Sequence, residues 1–107
     1  MIKIAKVGDR IDGPAVYVGR NPKFGCNALG NPFVIGEKRS RAESIEEFRV
    51  WFEERVRLKC LTESQRALLN KIAALSKVGD VTLVCHCNPL DCHARIIKEV
   101  VDAHCTR

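Results

Sequence analysis

The run Val81-Thr82-Leu83-Val84-Cys85, with the helix-patterned segment that follows it, constrains the fold of this chain more than any other feature. Four to five consecutive apolar or β-branched residues read as a buried strand. Pro89 stops that strand, and Ile96, Ile97, Val100 and Val101 then recur at helical spacing from Ala94 to His104. A strand that feeds directly into an amphipathic helix needs a sheet for the helix to cover, which points to an α/β protein. In such folds ligands and catalytic groups gather at the turn from strand to helix. Here that turn is Cys85-His86-Cys87-Asn88-Pro89-Leu90-Asp91-Cys92-His93, with three of the six cysteines and two of the three histidines.

The rest of the chain supplies partners for that unit. Ile2 to Val7 alternates apolar and basic residues and predicts a half-buried strand. Asp12-Gly13-Pro14 has turn chemistry, and Ala15 to Val18 predicts a second strand. Gly19 to Gly36 reads as a long loop with one short extended piece at Phe33 to Ile35; loops of this length in small domains are often functional. Ser40-x-x-Glu43 and Thr62-x-x-Gln65 each form a capping box and predict two helices. The first carries Ile45, Phe48, Trp51, Phe52 and Val56 on one face. Its aromatic stripe reads as core rather than as a platform for stacking bases. The second carries Leu68, Leu69, Ile72 and Leu75 and ends at Gly79-Asp80. The expected fold is a small single-domain α/β sandwich over residues 1–107. It has a short central sheet of three to four strands, about three helices, and the strand at Val81 central.

Composition narrows the setting. No apolar run approaches the roughly 20 residues of a membrane helix. The N-terminal Met-Ile-Lys-Ile-Ala-Lys lacks a signal-peptide core, so a cytoplasmic protein is expected. Clustered cysteines without a leader fit reduced thiols better than a disulfide framework. A formal charge of +5 favours anionic partners, an anionic small molecule such as a nucleotide before nucleic acid, because the cations are dispersed. The one dense charged group, Glu37 to Arg41, reads as a solvated loop before a helix.

Three readings compete for the Cys/His turn. In the first it walls a catalytic or ligand-binding pocket. With Asp91 as N-cap, Cys92 and His93 would begin the helix, where the thiol pKa should fall and a neutral imidazole is favoured. A neutral imidazole beside an activated thiol forms a nucleophile and base pair, and exposed amides there suit a phosphate or carboxylate. In the second, Cys85, Cys87 and Cys92 hold zinc, although the usual paired C-x2-4-C knuckles are missing. In the third the thiols only fill a tight turn. Strand alternation would place Cys85 and Cys87 on one face and turn His86 away. A phosphatase-like loop needs an Arg after five intervening residues; counted from Cys87 that position is His93, and Arg95 lies two further on.

The glycine-rich loop carries the second signal. Gly19 and Gly30 permit close backbone approach, Arg20 offers a planar anion-binding fork, and Asn31 offers donor and acceptor together. The loop has neither the P-loop pattern nor the dinucleotide-binding glycine pattern.

Taken together, the segments Tyr17-Val18-Gly19-Arg20, Leu29-Gly30-Asn31-Pro32-Phe33, the helix with Phe48 and Trp51, and the C-x-C-x-P-x-x-C-H run from Cys85 to His93 resemble the bacterial and bacteriophage family of domain of unknown function 4326. The likeness spans about residues 15 to 103. His86 stands where that pattern often has an aromatic residue, and Ala94 where it often has glycine. The C-terminal motif is also similar to that of domain of unknown function 488. The resemblance implies a fold and a site, not a reaction. The expected site comprises Cys87, Cys92 and His93 as catalytic groups, with Cys92 or Cys87 the reactive thiol. Gly19, Arg20, Gly30, Asn31 and Cys85 would be ligand-binding. No cofactor is expected, zinc being the alternative, and the rival function is a zinc-stabilised module that engages nucleic acid or a protein.

Overall fold

The structure is a computed structural model that describes residues 1–21, 23, 25–33, 35–86 and 92–105, the last two by backbone alone. Its elements in chain order are β1 (Ile2–Lys6), β2 (Ala15–Tyr17), α1 (Arg41–Arg57), α2 (Glu63–Val78), β3 (Val81–Cys85) and α3 (Ala94–Cys105). The three strands form one parallel sheet in the order β1-β3-β2. Central position explains why β3 is apolar at every position but Thr82. Both its edges are hydrogen-bonded, and four of its five residues are buried.

Register decides which side chains meet. Ile2 lies opposite Val81, and Leu83 lies between Ile4 and Val16. With the two-residue period of a strand, these residues and Cys85 share one face. Helix α3 packs against β1 and β3 from there, and α1 and α2 pack onto α3. Phe48, Phe52, Ile72, Ile96 and Ile97 are fully buried in this layer and Trp51 sits at its flank, so the aromatic stripe of α1 is core.

Local chemistry sets the helix ends. Ser40 Oγ accepts from Glu43 N and Glu43 Oε1 from Ser40 N, both at 3.1 Å. Thr62 and Gln65 repeat the exchange at 3.1 and 2.9 Å. Gln65 also donates through Nε2 to Ala28 O at 3.2 Å, which ties the start of α2 to the glycine-rich loop. Helix α1 closes with a Schellman turn: Cys60 N donates to Arg55 O and Lys59 N to Val56 O, with Lys59 left-handed at φ 58°.

The sheet has three strands among the described residues, within the expected three to four. Of the extended piece expected at Phe33 to Ile35, Val34 lies outside those residues and its neighbours join no strand; the nearest pairing is an isolated bridge between Gly36 and Arg39. Helix α3 starts at Ala94, so Cys92 and His93 sit in the turn that leads into it. Asp91, the expected N-cap, and Pro89 lie outside the described residues. Cys26, Cys60, Cys85 and Cys92 carry thiols rather than disulfides. No helix of the described residues is long and apolar enough to cross a membrane.

Candidate functional site

The carboxyl ends of β2 and β3, the turn before α3 and the first turn of α1 converge on one small cavity. Val18 N donates to Val84 O at 2.9 Å and carries the β2–β3 ladder past the end of β2. This brings Gly19 and Arg20 beside the end of β3. The cavity encloses about 80 Å³. Gly19 and Arg20 form one side, Cys85, His86, Cys92 and His93 another, and Arg41 and Ser44 of α1 close it with Asn31 and Phe33. Among the described residues that line it are two arginines and no carboxylate.

His93 organises the cavity. Its Nε2 lies 2.6 Å from Val18 O and 3.1 Å from Leu29 O. Both carbonyls can only accept, so Nε2 carries the proton. In the neutral ring Nδ1 is then an acceptor, and it lies 3.4 Å from Cys92 Sγ. The imidazole is buried and meets the edge of the Phe48 ring at 5.0 Å between centroids. Burial pushes its pKa below the ordinary value, the nearby Arg20 charge pushes the same way, and the two carbonyls oppose them. The geometry is that of a neutral base facing a thiol.

The glycines serve this clamp. One imidazole joins main-chain groups on both arms of the loop, so the arms must run close together. A Cβ on Gly30 would lie 2.7 Å from Arg20 Cγ and 3.0 Å from Gly19 O. Gly30 is therefore the close-approach point behind Arg20, and it does not line the cavity. Asn31 reaches the cavity, but its amide is engaged within the wall. Nδ2 donates to Ser44 Oγ at 2.9 Å and Oδ1 accepts from Phe33 N at 2.8 Å. Ser44 Oγ in turn donates to Phe33 O.

A second imidazole stands at the mouth. Tyr17 Oη lies 3.0 Å from His86 Nε2 and accepts from Asn21 N at 2.9 Å. Gly19 and Gly25 both lie close against Tyr17. A Cβ at Gly19 would run into the phenol, and one at Gly25 would lie 3.0 Å from Tyr17 Cβ. Strand alternation turned His86 away from the thiols, but β3 ends at Cys85 and His86 occupies a bend, so it lines the cavity with them.

Of the residues singled out from sequence, Gly19, Arg20, Asn31, Cys85, Cys92 and His93 thus share one cavity. Cys87, the other expected thiol and a member of the alternative zinc set, lies outside the described residues. Among the described residues no three His, Cys, Asp or Glu side chains form a group able to hold a metal ion. Sequence reasoning missed Arg41, His86 and Ser44. Arg41 lay in the charged run read as a solvated loop, and Ser44 gave one signal, a polar residue next to Ile45 on the face that α1 buries.

The model of the family described as Domain of unknown function (DUF4326) matches residues 3–103. No curated protein and no solved structure matches the chain.

Proposed function

This chain belongs to the Domain of unknown function (DUF4326) family, and from that premise we propose that it is a thiol-dependent enzyme, or a binding domain, for an anionic small molecule. The anionic end of the ligand enters the cavity at the carboxyl edge of the sheet, Arg20 and Arg41 hold it, Cys92 is the nucleophile and His93 is its base. The observation that carries this reading is the His93 clamp. Two main-chain carbonyls fix the proton on Nε2 and leave Nδ1 to accept from Cys92 Sγ at 3.4 Å. A buried imidazole that only filled space would not need a thiol on its second nitrogen inside a cavity lined by arginines. The volume limits the ligand. About 80 Å³ takes a phosphate or carboxylate group; a whole nucleotide needs a site of several hundred Å³. A nucleotide-like ligand would insert its phosphate and leave the base outside.

Alkylation tests this directly. Iodoacetate carries the anion that the site should select, iodoacetamide does not, and exposed Cys26 and Cys60 are internal controls. Cys92 is expected to prefer iodoacetate over iodoacetamide by about tenfold relative to those controls, with inorganic phosphate protecting it. Arg20→Gln should remove most of that preference, a change of about 1 kcal/mol. Equal rates with both reagents, or an inert Cys92, would sink the proposal. Near-stoichiometric zinc that leaves together with the fold on chelation would replace it with the metal-stabilised module.

A further inference from the structure

We propose that the groove between α1, α2 and α3 is a second ligand site, independent of the thiol chemistry at Cys92. It takes a medium-chain monocarboxylate with its head group at Arg66. The hollow encloses about 180 Å³. Val56 of α1, Leu61 before α2, Leu69 and Ala73 of α2, and Val100 of α3 wall it, and each is only partly buried. Aliphatic side chains left half open to water gain by being covered. The volume slightly exceeds the roughly 150 Å³ that holds a benzene ring, so it admits a tail of about six to eight carbons.

Charge selects the occupant. Arg66 and Asn70 form the polar lip, and neither side chain has a hydrogen bond or ion pair among the described residues. The groove continues past Val56 and Val100 to Arg57 and Lys59, which are equally unpaired. The carboxylates of that stretch are committed elsewhere. Glu99 holds Arg49 at 2.9 Å and Arg95 at 3.1 Å, and Glu53 holds Arg49 at 3.3 Å. Among the described residues that line the groove, the unpaired charge is therefore all positive. An apolar ligand with one anionic end complements it. A second copy seated here about a two-fold axis would set these cations against their own counterparts.

The register of α2 sets the direction. Arg66, Leu69, Asn70 and Ala73 recur at three- and four-residue steps, so one face of the helix runs along the groove. Arg66 to Ala73 spans about 10 Å of helix axis. Helical side chains lean towards the N-terminus, which brings the Asn70 amide back towards Arg66. Arg66 closes the first turn of α2, where a helix favours negative charge. A carboxylate there meets the guanidinium, the amide and the helix field together. Its tail then lies along Leu69 and Ala73.

NMR titration with hexanoate, octanoate and decanoate tests the site. Affinity should rise about fourfold per methylene from hexanoate to octanoate and level off by decanoate, where the tail outgrows the hollow. Arg66 is exposed, so Arg66→Gln leaves the fold intact. It should weaken octanoate about fivefold and leave neutral octanamide unchanged. Ala73→Leu should fill the hollow and abolish binding of both. Arg20→Gln alters the other cavity and should change nothing. No binding at millimolar octanoate overturns the proposal, as does affinity that climbs by the same step to decanoate, the mark of unspecific adsorption. Octanoate binding that ignores Arg66→Gln overturns it, and so does a loss in Arg20→Gln, which would place the carboxylate beside Cys92. A dimer in sedimentation that Ala73→Leu dissociates would put a second copy in the groove and overturn it as well.

Discussion

The cavity at the carboxyl edge of the sheet and the groove where α1, α2 and α3 meet differ in both size and chemistry. The groove is the larger, about 180 Å³ against about 80 Å³, and Val56, Leu61, Leu69, Ala73 and Val100 give it aliphatic walls. The smaller cavity has two arginines, two histidines and two thiols. Helices meet through apolar stripes, so a gap between them is lined by what the stripes contain. Strand ends bring main-chain carbonyls, turns and helix starts together. Polar side chains can be satisfied there, and ligands collect there. Volume alone would point to the other hollow.

The largest expected effect comes from removing the clamp. His93→Ala leaves Val18 O and Leu29 O without a donor in a buried site and opens space beside Phe48. It should cost about 2–4 kcal/mol in urea unfolding and abolish the enhanced alkylation of Cys92. His93→Gln offers an amide donor to the carbonyls but no base to the thiol. It should recover part of the stability and none of the reactivity. Recovery of both would mean that His93 only packs.

The same residue sets a pH dependence of known sign. The native imidazole is held neutral because burial lowers its pKa from the ordinary 6.5. As the pH falls below 6.5, the unfolded chain takes up that proton before the native one does. The contribution to stability is whole above that value and declines below it, until the native imidazole is protonated as well. Unfolding of the unaltered chain should weaken from pH 7 towards pH 5 more than that of His93→Ala. Parallel curves would show that His93 titrates alike in both states.

The groove should respond in the opposite pattern. Leu69→Ala removes apolar surface from a partly buried position and should cost about 1–2 kcal/mol. The alkylation rate of Cys92 should stay unchanged. A change in that rate comparable to the one from His93→Gln would erase the distinction between the two hollows.

How far the sequence carried depends on the range of the interaction. Ser40 with Glu43, and Thr62 with Gln65, announce helix starts because a capping box is complete within four residues. The run Val81 to Cys85 announces a central strand because burial on both faces removes alternation. The order β1-β3-β2 is settled by pairings almost 80 residues apart, such as Ile2 with Val81, and no local pattern encodes it. The site divides in the same way. Arg20, Cys92 and His93 stood out by residue type and spacing. The clamp did not, because His93 meets carbonyls 75 and 64 residues away, and a main-chain acceptor leaves no mark in sequence. His86 was turned outward by extending strand alternation one residue past the end of β3.

The smallest expected effect tests whether stability and chemistry separate. Lys59 closes α1 in the left-handed region, at φ 58°, between the two hydrogen bonds of the Schellman turn. A residue with a Cβ pays roughly 1–2 kcal/mol for that conformation, and glycine avoids the cost. Glycine also gives the unfolded chain more freedom, which returns about 0.4–1 kcal/mol. The Lys59 side chain is exposed and lines the outer lip beside Val56, so little packing is lost. Lys59→Gly should therefore raise stability by about 0.5–1 kcal/mol. Lys59 belongs to no wall of the smaller cavity, so the iodoacetate preference of Cys92 should not move. A stabilised variant with altered thiol selectivity would mean that the end of α1 is coupled to the site through the helix layer. The chemistry would then depend on the helices as well as on the strand ends.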